Sequence, residues 1–349
     1  MVNMQKEPLV SVVVTGLNEE RDIEKCIHAL IFNQTYRNYE LIYVDGGSSD
    51  KTLEIVKYVI ASARRHSNNK TEIIIDKRSN PAKARNNGIK HSQGEIIAFV
   101  DADCVAPKFW LQLIVKKLST AGEEVAGIGG PYLVPAGATK ITKIIYEALN
   151  SFMGGSFFTV QFVQKSSKTM YVDAVPAGNS AYWKDVLQKV NFFNQDLRFC
   201  EDHDLGIRIK AKSNKKILFD PELYVYHHSK VGNFSSLFKL MYNYGLGRVE
   251  AFFREKKLFS KTRMLPAAFI AVFTSCLLLG FFFNVFLIID LCLAISYFLL
   301  VTASTIKVLL VKKDIDYVKV FPAYIATHLA YGLGTLFGLA KEFLWFWRG

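Results

Sequence analysis

The stretch Gly94-Glu95-Ile96-Ile97-Ala98-Phe99-Val100-Asp101-Ala102-Asp103 decides the fold. Its run of apolar and β-branched residues predicts a buried strand, and that strand ends in two carboxylates. Because side chains two positions apart on a strand point the same way, Asp101 and Asp103 are expected to approach one site. Carboxylate oxygens suit hard cations, so the pattern indicates an Mg²⁺ or Mn²⁺ site completed by phosphate oxygens. The alternative is a solvated turn that happens to hold two aspartates.

Strands and helices alternate on the amino-terminal side of this stretch. Strands are predicted at 9–14, 40–44 and 71–76, and helices after residue 18, at 51–63 and at 82–91. This alternation predicts an α/β domain with a doubly wound, mostly parallel sheet, whose ligands bind at the carboxyl ends of the strands. The loops that hold Thr15, Asp45 and Asp101 are therefore expected to face one crevice.

The polar residues of these loops indicate a nucleotide site. The glycines form neither a dinucleotide fingerprint nor a Walker loop, which disfavours hydride transfer and Walker-type chemistry. Asp45 can accept a hydrogen bond from a base N–H, Asp101 can reach a ribose hydroxyl, and Asp103 can hold a metal on a diphosphate. Arg85 offers a forked cation to phosphate. Each residue has an ordinary structural role as its alternative, and their joint placement favours the nucleotide.

The carboxyl-terminal part of the chain is apolar. No charged residue occurs from Leu265 to Phe283, and only Asp290 interrupts the run from Val285 to Ile306. Segments of this length can cross a hydrocarbon core. We therefore predict a catalytic domain at 1–232, an amphipathic basic segment at 233–263 and a transmembrane region at 264–349 with helices at 265–283, 285–306 and 320–340.

The net charge of +12 is concentrated beside these apolar segments. Basic residues precede the first segment and separate the second from the third: Arg248, Arg254, Lys256, Lys257, Lys261, Arg263, Lys307, Lys312, Lys313 and Lys319. This positive-inside pattern, with no visible signal peptide, predicts a multi-pass protein of the cell membrane whose catalytic domain faces the cytoplasm. It favours contact with membrane lipids over nucleic acid. The five cysteines show no paired spacing, which favours a reducing compartment and no zinc.

Four short motifs occur in order along the amino-terminal domain: VSVVVTGLNE at 10–19, VDGGSSD at 44–50, ARNNG at 84–88 and DAD at 101–103. They resemble the successive motifs of family 2 glycosyltransferases, which have the GT-A fold, and the resemblance covers about residues 8 to 250. It implies transfer of a sugar from a nucleoside-diphosphate sugar donor with inversion at the anomeric carbon, using Mg²⁺ or Mn²⁺.

The same resemblance implies that the donor site includes Thr15, Leu17, Asn18 and Glu19. The chain departs from the family at two positions of this site. It has Thr15-Gly16-Leu17 where the family more often has Pro-x-Tyr, and Gly46 where the family often has a second aspartate.

The acceptor half of the site is expected farther along the chain. Gly178 and Asn179 are placed where a backbone passes close to a sugar, with a tight turn as the alternative. The segment FCEDHDLGIR at 199–208 resembles the family's Glu-Asp-x-Asp-Leu motif, which carries the catalytic base. Inversion requires a carboxylate to take the proton of the attacking hydroxyl, and we assign that role to Asp202, with Glu201 positioning it. Asp204 is expected to cap the helix.

Two further motifs extend the resemblance. A histidine after the strand predicted at 222–226 can complete the metal shell in related GT-A enzymes, which favours His227, with His228 as the alternative. The segment YNYGLGR at 242–248 resembles that of non-processive, membrane-bound members, which implies acceptor contacts for Tyr244 and Arg248 and transfer of one sugar per encounter. The apolar stretch 152–162 is predicted to lie either in the membrane interface or in a core helix.

The favoured hypothesis is inverting, metal-dependent transfer of a single sugar to a hydroxyl of a lipid-linked or oligosaccharide acceptor at the membrane. The alternatives are a polyprenyl-phosphate sugar synthase, a membrane-anchored nucleotidyltransferase and a non-catalytic binding or transport subunit. A base at Asp202 favours the hydroxyl acceptor, because a phosphate acceptor is already ionised. The donor sugar, its base and the oligomeric state do not follow from the sequence.

Overall fold

The chain forms two compact units in a computed structural model. The first comprises Met1–Pro135 and Gln164–His228, and the second comprises Ala136–Val163 and Ser229–Gly349. The structure describes residues 7–63, 69–77, 79–151, 153–154, 168–254 and 261–346. The stretch predicted at 152–162 lies, apart from residues 153 and 154, outside the described residues.

The first unit contains a central sheet with helices packed on it. Its strands are β1 Val10–Gly16, β2 Tyr39–Asp45, β3 Thr71–Ile75, β4 Ile96–Asp101, β5 Cys104–Val105, β6 Val125–Gly129, β7 Tyr132–Leu133, β8 Met170–Val172, β9 Asn179–Trp183, β10 Lys216–Phe219 and β11 Val225–His227. Its helices are α1 Ile23–Phe32, α2 Thr52–Ala63, α3 Pro81–His91, α4 Trp110–Thr120, α6 Lys184–Lys189 and α7 Glu201–Ser213. The predicted strands and helices before residue 103 are all confirmed; α1 begins at Ile23, four residues after Glu19, and the other boundaries shift by one or two residues.

The central sheet has the strand order β3-β2-β1-β4-β9-β6-β10-β8. The pairs β2–β3, β1–β2 and β1–β4 are parallel, whereas β9 runs antiparallel to both β4 and β6. This arrangement confirms the predicted doubly wound, mostly parallel sheet. The deciding stretch is its middle strand, where Ile96, Ile97, Phe99 and Val100 are all buried. Burying each such side chain contributes about 1.5–3 kcal/mol of hydrophobic free energy.

Strand register brings the predicted loops to one edge. Thr15 pairs with Asp101, and Gly16 pairs with Asp45, so the ends of β1, β2 and β4 lie side by side. A second, three-stranded sheet of order β5-β11-β7 begins where β4 ends. The strand predicted at 222–226 is shorter than expected and is shifted toward the histidines, at Val225–His227.

The second unit is helical. It contains α5 Lys140–Asn150, α8 Phe234–Arg254, α9 Leu265–Leu279, α10 Asn284–Lys312 and α11 Val320–Phe346. Among the described residues, two helical segments, Thr262–Leu279 and Asn284–Lys312, are long and apolar enough to cross a membrane by length and composition. The third predicted segment, 320–340, also forms a helix, α11. That helix packs along α8 and is not one of the two segments with the length and composition of a membrane span.

Close packing between α8 and α11 depends on small residues. A Cβ on Gly334 would lie 2.1 Å from the Tyr242 carbonyl oxygen, and one on Gly245 would lie 2.2 Å from the Tyr331 carbonyl oxygen. The glycines that the sequence places in an acceptor motif therefore serve, at least at Gly245, to bring two helix backbones together.

The domain boundary differs from the prediction at one place. The sequence suggests a single catalytic domain over 1–232, but α5 packs with the carboxyl-terminal helices. Two ion pairs fix it there, Lys140 with Asp314 and Lys312 with Glu147. Its buried face, which includes Ile144, Ile145 and Leu149, explains the difference: an amphipathic helix packs on whichever apolar surface the fold supplies.

Candidate active site

The loops after β1 and β2 are joined by hydrogen bonds. The Asn18 Oδ1 accepts hydrogen bonds from the Ser49 backbone N–H at 2.9 Å and the Ser49 hydroxyl at 3.3 Å, and the Ser48 hydroxyl accepts one from the Asn18 N–H at 3.0 Å. Asn18 adopts a left-handed φ of 56°, a conformation that asparagine tolerates better than most residues. Beside it, Leu17 is 48 % exposed. Two of the predicted donor residues, Leu17 and Asn18, therefore lie in a loop that hydrogen bonds join to the loop after β2.

Asp45 is buried beneath these loops. Its Oδ1 accepts from the hydroxyls of Tyr43 and Ser48, and its Oδ2 accepts from the backbone N–H groups of Gly47 and Ser48, at 2.7–3.2 Å. These four interactions occupy the acceptor positions of a carboxylate. Asp45 therefore closes the turn that carries the loop, and its contact with a base stays a prediction.

Arg85 is the centre of a buried ion-pair network. The Asn80 side chain caps α3 by accepting from the Lys83 N–H, and the helix presents Arg85 to the end of β4. Its Nη2 donates to Asp101 and its Nη1 donates to Glu201, both at 2.8 Å. The guanidinium also lies over the Phe193 ring, 5.7 Å from the centroid.

The predicted phosphate contact of Arg85 stays a prediction, and two carboxylates already bind the side chain. The side chain is only 6 % exposed, and both of its terminal nitrogens are bound to carboxylates. Burial alone would lower the pKa of Arg85, but Asp101 and Glu201 raise it, so the guanidinium stays protonated. Arg85 therefore fixes Asp101, at the end of β4, to Glu201, at the start of α7.

Tyr132 continues the network toward the second sheet. Its hydroxyl donates to the Asp101 Oδ2 at 3.2 Å, and its ring lies 4.7 Å from the ring of His227. Burial, together with Asp101, keeps the pKa of Tyr132 well above its usual range, so the hydroxyl remains a donor. Asp101 is thereby oriented from two sides, while 31 % of its side chain stays exposed to a ligand.

Asp103 and His227 are brought together by strand register. Cys104 of β5 pairs with His227 of β11, and the His228 N–H donates to the Asp103 carbonyl oxygen at 2.8 Å. As a result the His227 Nε2 lies 3.2 Å from the Asp103 Oδ2. His228 points elsewhere, since its Nδ1 lies 3.1 Å from Asp22. Of the two predicted histidines, the geometry favours His227.

The pair of Asp103 and His227 fits a divalent cation. Two neighbouring ligand atoms of an octahedral ion lie about 3 Å apart when each bond is about 2.1 Å, and the observed separation is 3.2 Å. The Cys104 sulfur lies within the same cluster. Burial and Asp103 raise the pKa of the Cys104 thiol, so it stays protonated and is a poor ligand. The oxygen and imidazole donors therefore match Mg²⁺ or Mn²⁺ better than a thiolate-seeking metal.

Glu201 and Asp202 begin α7. The Asp202 Oδ1 accepts from the N–H of His203 at 2.8 Å, and its side chain is partly exposed, unlike the Arg85 side chain. Burial raises the pKa of Glu201 to about 7; Arg85 opposes this shift and the charge of Asp202 adds to it. Glu201 is thus anchored to the network by Arg85, while Asp202 beside it is partly exposed; their roles as positioning residue and base stay predictions.

We expect kcat/KM to fall as the pH is lowered through about 7, because protonation of Glu201 breaks its ion pair with Arg85. Stability changes in the opposite direction. Because the folded-state pKa of Glu201 lies above its ordinary value, the folded state binds this proton more tightly than the unfolded chain does. The resulting contribution to the free energy of unfolding is present at low pH and is lost as the pH rises through about 7. A pH–rate profile of the wild type and of Glu201→Gln measures the first effect. If both profiles share the same acidic limb, another group is responsible for it.

Gly178 and Asn179 differ in their roles. A Cβ on Gly178 would lie 1.9 Å from the Asp101 Oδ2, so this backbone touches a site carboxylate directly. Asn179 is completely buried: its Nδ2 donates to the carbonyls of Pro131 and Leu223, and its Oδ1 accepts from Trp110. The Asn179 amide therefore holds β9 to its neighbours, and the acceptor contact of this residue stays a prediction.

Replacing Gly178 with alanine is expected to displace the Asp101 carboxylate and to lower donor turnover at least tenfold, since misplacing a site residue by about 1 Å costs up to 10²-fold. Initial rates at saturating donor, together with the unfolding midpoint, measure the effect. Gly137→Ala is the matched control, because no atom lies within 4 Å of its added Cβ. Equal rates for the two variants would show that the contact is unimportant.

The remaining predictions near the acceptor have mixed outcomes. Asp204 does not act as the expected helix cap; it forms an ion pair with Arg208, whose Nε donates to it at 2.8 Å. Tyr244 and Arg248 lie in α8 of the second unit, where Arg248 is buried. Their acceptor contacts stay predictions.

The sequence does not reveal two residues of the network: Tyr132, which donates to Asp101, and Phe193, whose ring lies against Arg85. A lone tyrosine after Gly129-Gly130-Pro131 carries no pattern that distinguishes it from a core aromatic residue. Its role follows from the pairing of β7 with β11, which places it between Asp101 and His227. The position of Phe193 is fixed by Asn86, whose amide exchanges two hydrogen bonds with the Phe193 backbone at 2.8–2.9 Å.

Comparison with known proteins identifies the class. The model of Glycosyl transferase family 2 matches residues 11–190, more than half of the chain, and the chain belongs to this family. The fold resembles that of the mannosyltransferase PcManGT from Pyrobaculum calidifontis, solved with GDP-Man and Mn²⁺. The TM-score is 0.58 and the identity 19 %, over 94 % of this chain and 88 % of that one. This likeness supports the GT-A fold.

Curated relatives include glycosyltransferase AglE of Haloferax volcanii, 32 % identical over 54 % of this chain and 57 % of AglE. EpsJ of Bacillus subtilis is 27 % identical over 64 % of this chain and 62 % of its own length. The chain thus spans about three fifths of these two relatives. A Methanococcus voltae protein, named as a glucuronosyltransferase acting on a dolichyl N-acetylglucosaminyl phosphate, is 22 % identical over 95 % of this chain and 97 % of its length.

Proposed function

We propose that the protein transfers one sugar from a nucleoside-diphosphate sugar to a hydroxyl of a lipid-linked glycan, with inversion at the anomeric carbon. The observation that carries the proposal is the continuous chain of contacts Glu201–Arg85–Asp101–Tyr132–His227–Asp103. It links the end of the donor strand, the candidate metal ligands and the start of the acceptor helix. A nucleotide sugar placed along it would have its diphosphate at Asp103 and its anomeric carbon toward Asp202.

The chemistry assigned to this chain's residues is a single displacement. Asp202 takes the proton of the acceptor hydroxyl, the hydroxyl oxygen forms the new bond to the anomeric carbon, and the bond from that carbon to the diphosphate breaks. Glu201 and Arg85 hold Asp202 and Asp101 in register across the sugar. Asp103 and His227 would hold a divalent cation, which offsets the negative charge on the departing diphosphate.

Membrane attachment and a lipid-linked acceptor complete the proposal. Two helices of the second unit have the length and hydropathy of membrane spans. The Methanococcus voltae relative, whose name specifies a dolichyl-linked acceptor, aligns over nearly the whole chain, including these helices. Basic residues flanking the spans favour a cytoplasmic catalytic unit, where nucleotide sugars are made available.

We expect nucleoside diphosphate release from one of a panel of nucleotide sugars, dependent on added Mg²⁺ or Mn²⁺. His227→Ala should raise the metal concentration needed for half-maximal rate at least tenfold, because a ligand is lost. His228→Ala, which changes the adjacent histidine that faces Asp22, should leave that concentration unchanged. Membranes containing the full chain suffice for the assay.

The other possible results of this assay each identify an alternative function or exclude a residue. Release of pyrophosphate would identify a nucleotidyltransferase, and absence of turnover with every donor would favour a binding subunit. Transfer of sugar to polyprenyl phosphate itself, rather than to a glycan hydroxyl, would contradict the proposed acceptor. Equal metal dependence in the two histidine variants would remove His227 from the metal site.

A further inference from the structure

A large apolar cavity lies within the second unit, between α9, α10 and α11. Its volume is about 470 Å³. One face of α9 lines it, together with Thr262 in the turn before that helix, three residues of α10, three residues of α11, and Met153. The residues on the helices are Leu265, Pro266, Phe269, Ile270, Phe273 and Thr274 on α9, Ala294, Tyr297 and Phe298 on α10, and Ile325, His328 and Leu329 on α11. This cavity is remote in sequence from every residue of the ion-pair network described above.

The polar groups on the cavity wall satisfy one another. The His328 Nε2 donates to the Met153 carbonyl oxygen at 2.6 Å, so the Nδ1 is the acceptor and receives the Tyr297 hydroxyl at 2.9 Å. The Thr274 hydroxyl donates to the Ile270 carbonyl at 2.6 Å. With these groups engaged, the wall attracts hydrocarbon rather than a sugar or a nucleotide. A cavity of about 150 Å³ with apolar walls stays dry and binds benzene, so this one has room for a hydrocarbon chain.

The cavity is partly open to the outside of the second unit and begins beside positive charge. Leu265, Phe298 and Leu329 line it and are themselves exposed, and the helices that carry them have an apolar surface that suits a bilayer. From Thr262 to Thr274 the lined face of the helix is about 18 Å long. Thr262 lies between Lys261 and Arg263, so an anionic head group at this end of the cavity would meet cations.

We propose that this cavity binds the isoprenoid tail of the lipid acceptor, with the lipid phosphate held near Lys261 and Arg263. The inference rests on the proposed function, since a lipid-linked glycan supplies both the hydrocarbon and the phosphate. The observations that select this occupant are the apolar wall, the partial opening among helices whose apolar surface suits a bilayer, and the charge complementarity at one end. A phospholipid shares the apolar tail, and competition separates the two.

The test uses the full chain in detergent and a C55 polyprenyl monophosphate, without any donor. Ala294→Trp fills the cavity and should weaken binding of this lipid at least tenfold in native mass spectrometry. Ile295→Trp adds the same ring at the adjacent position, which is 51 % exposed and does not line the cavity, and should leave binding unchanged. Excess phosphatidylglycerol should fail to displace the polyprenyl phosphate from the wild type.

A second measurement does not depend on how the variants fold. A polyprenyl phosphate carrying a photoreactive group on its tail should label peptides of α9 and α10 in the wild type. Equal binding by the two tryptophan variants, labelling confined to other segments, or displacement by phosphatidylglycerol would each overturn the inference. Because the binding assay contains no donor, its result does not depend on sugar transfer. Lipid binding in this assay, combined with no transfer when nucleotide sugars are added separately, would count against the proposed function alone. Transfer to the lipid acceptor unaffected by Ala294→Trp would count against the cavity alone.

Discussion

Asp202→Asn is expected to lower sugar transfer by about 10²- to 10⁴-fold, the usual contribution of a general base. Asparagine keeps the shape of the side chain and can still accept the His203 N–H, but it cannot take the acceptor proton. Donor affinity should be unchanged, because the residues that hold the diphosphate are elsewhere in the network. Nucleoside diphosphate release with saturating acceptor and donor binding by calorimetry measure the two quantities separately.

Asp196→Asn is the matched control for this prediction. Asp196 is exposed in the loop before α7, six residues from Asp202 in the sequence, so its variant makes the same change of charge at a position outside the network. It should transfer sugar at the wild-type rate. Undiminished transfer by Asp202→Asn would exclude the residue as the base, and a parallel loss of donor binding would indicate a disturbed site instead.

Arg85→Met is expected to reduce both stability and turnover. The substitution leaves Asp101 and Glu201 without their shared cation, and breaking a buried ion pair from one side typically costs about 3–5 kcal/mol. Turnover should fall because Asp101 is then held by Tyr132 alone. Arg85→Lys should rescue only part of each loss, since an ammonium group cannot reproduce the planar fork that reaches two carboxylates.

Lys83→Met on the same helix is the control for Arg85. Lys83 is about half exposed and lies 3.8 Å from Asp76, so its loss should change stability by about 0–1 kcal/mol. Unfolding midpoints in detergent and initial rates separate the two positions. An Arg85→Met chain that retains both stability and turnover would show that the ion-pair network is not needed to align the site.

The sequence predicts the fold well where local pattern and global structure agree. The apolar stretch ending at Asp101 is the middle strand of the sheet, and the βα alternation before it gives the correct order of elements. Parallel strands in a doubly wound sheet must present their carboxyl ends at one edge, so Thr15 and Asp101 pair as the pattern implies. These inferences need only periodicity and chain connectivity.

The sequence fails where a side chain's partner is distant. Arg85 appears as a free cation in the sequence because Glu201, one of its two partners, is 116 residues away. Asp45 appears as a free acceptor because the turn that encloses it forms only when Gly47 and Ser48 fold back. In both cases the sequence reveals the residue type but not the partners that the fold supplies to its side chain.

For the candidate metal ligands, the sequence predicts the residues, but only the structure shows how the chain brings them together. Asp103 was expected on the same strand as Asp101, but it lies in the turn between β4 and β5. The antiparallel pairing of Cys104 with His227 then brings the histidine to it. The sequence favours His227 over His228 only through the family resemblance, because adjacent residues near a strand end point to different sides and strand register decides which one faces the carboxylate.

The membership of α5 in the helical unit has a practical consequence for dissecting this enzyme. The chain leaves the catalytic unit after Pro135, contributes α5 to the second unit and re-enters at Gln164. Cutting the chain after residue 232 to obtain a soluble enzyme would therefore retain α5 while removing the helices that cover Ile144, Ile145 and Leu149. That orphaned apolar face would promote aggregation. A soluble catalytic fragment requires excision of the internal helix as well as the tail.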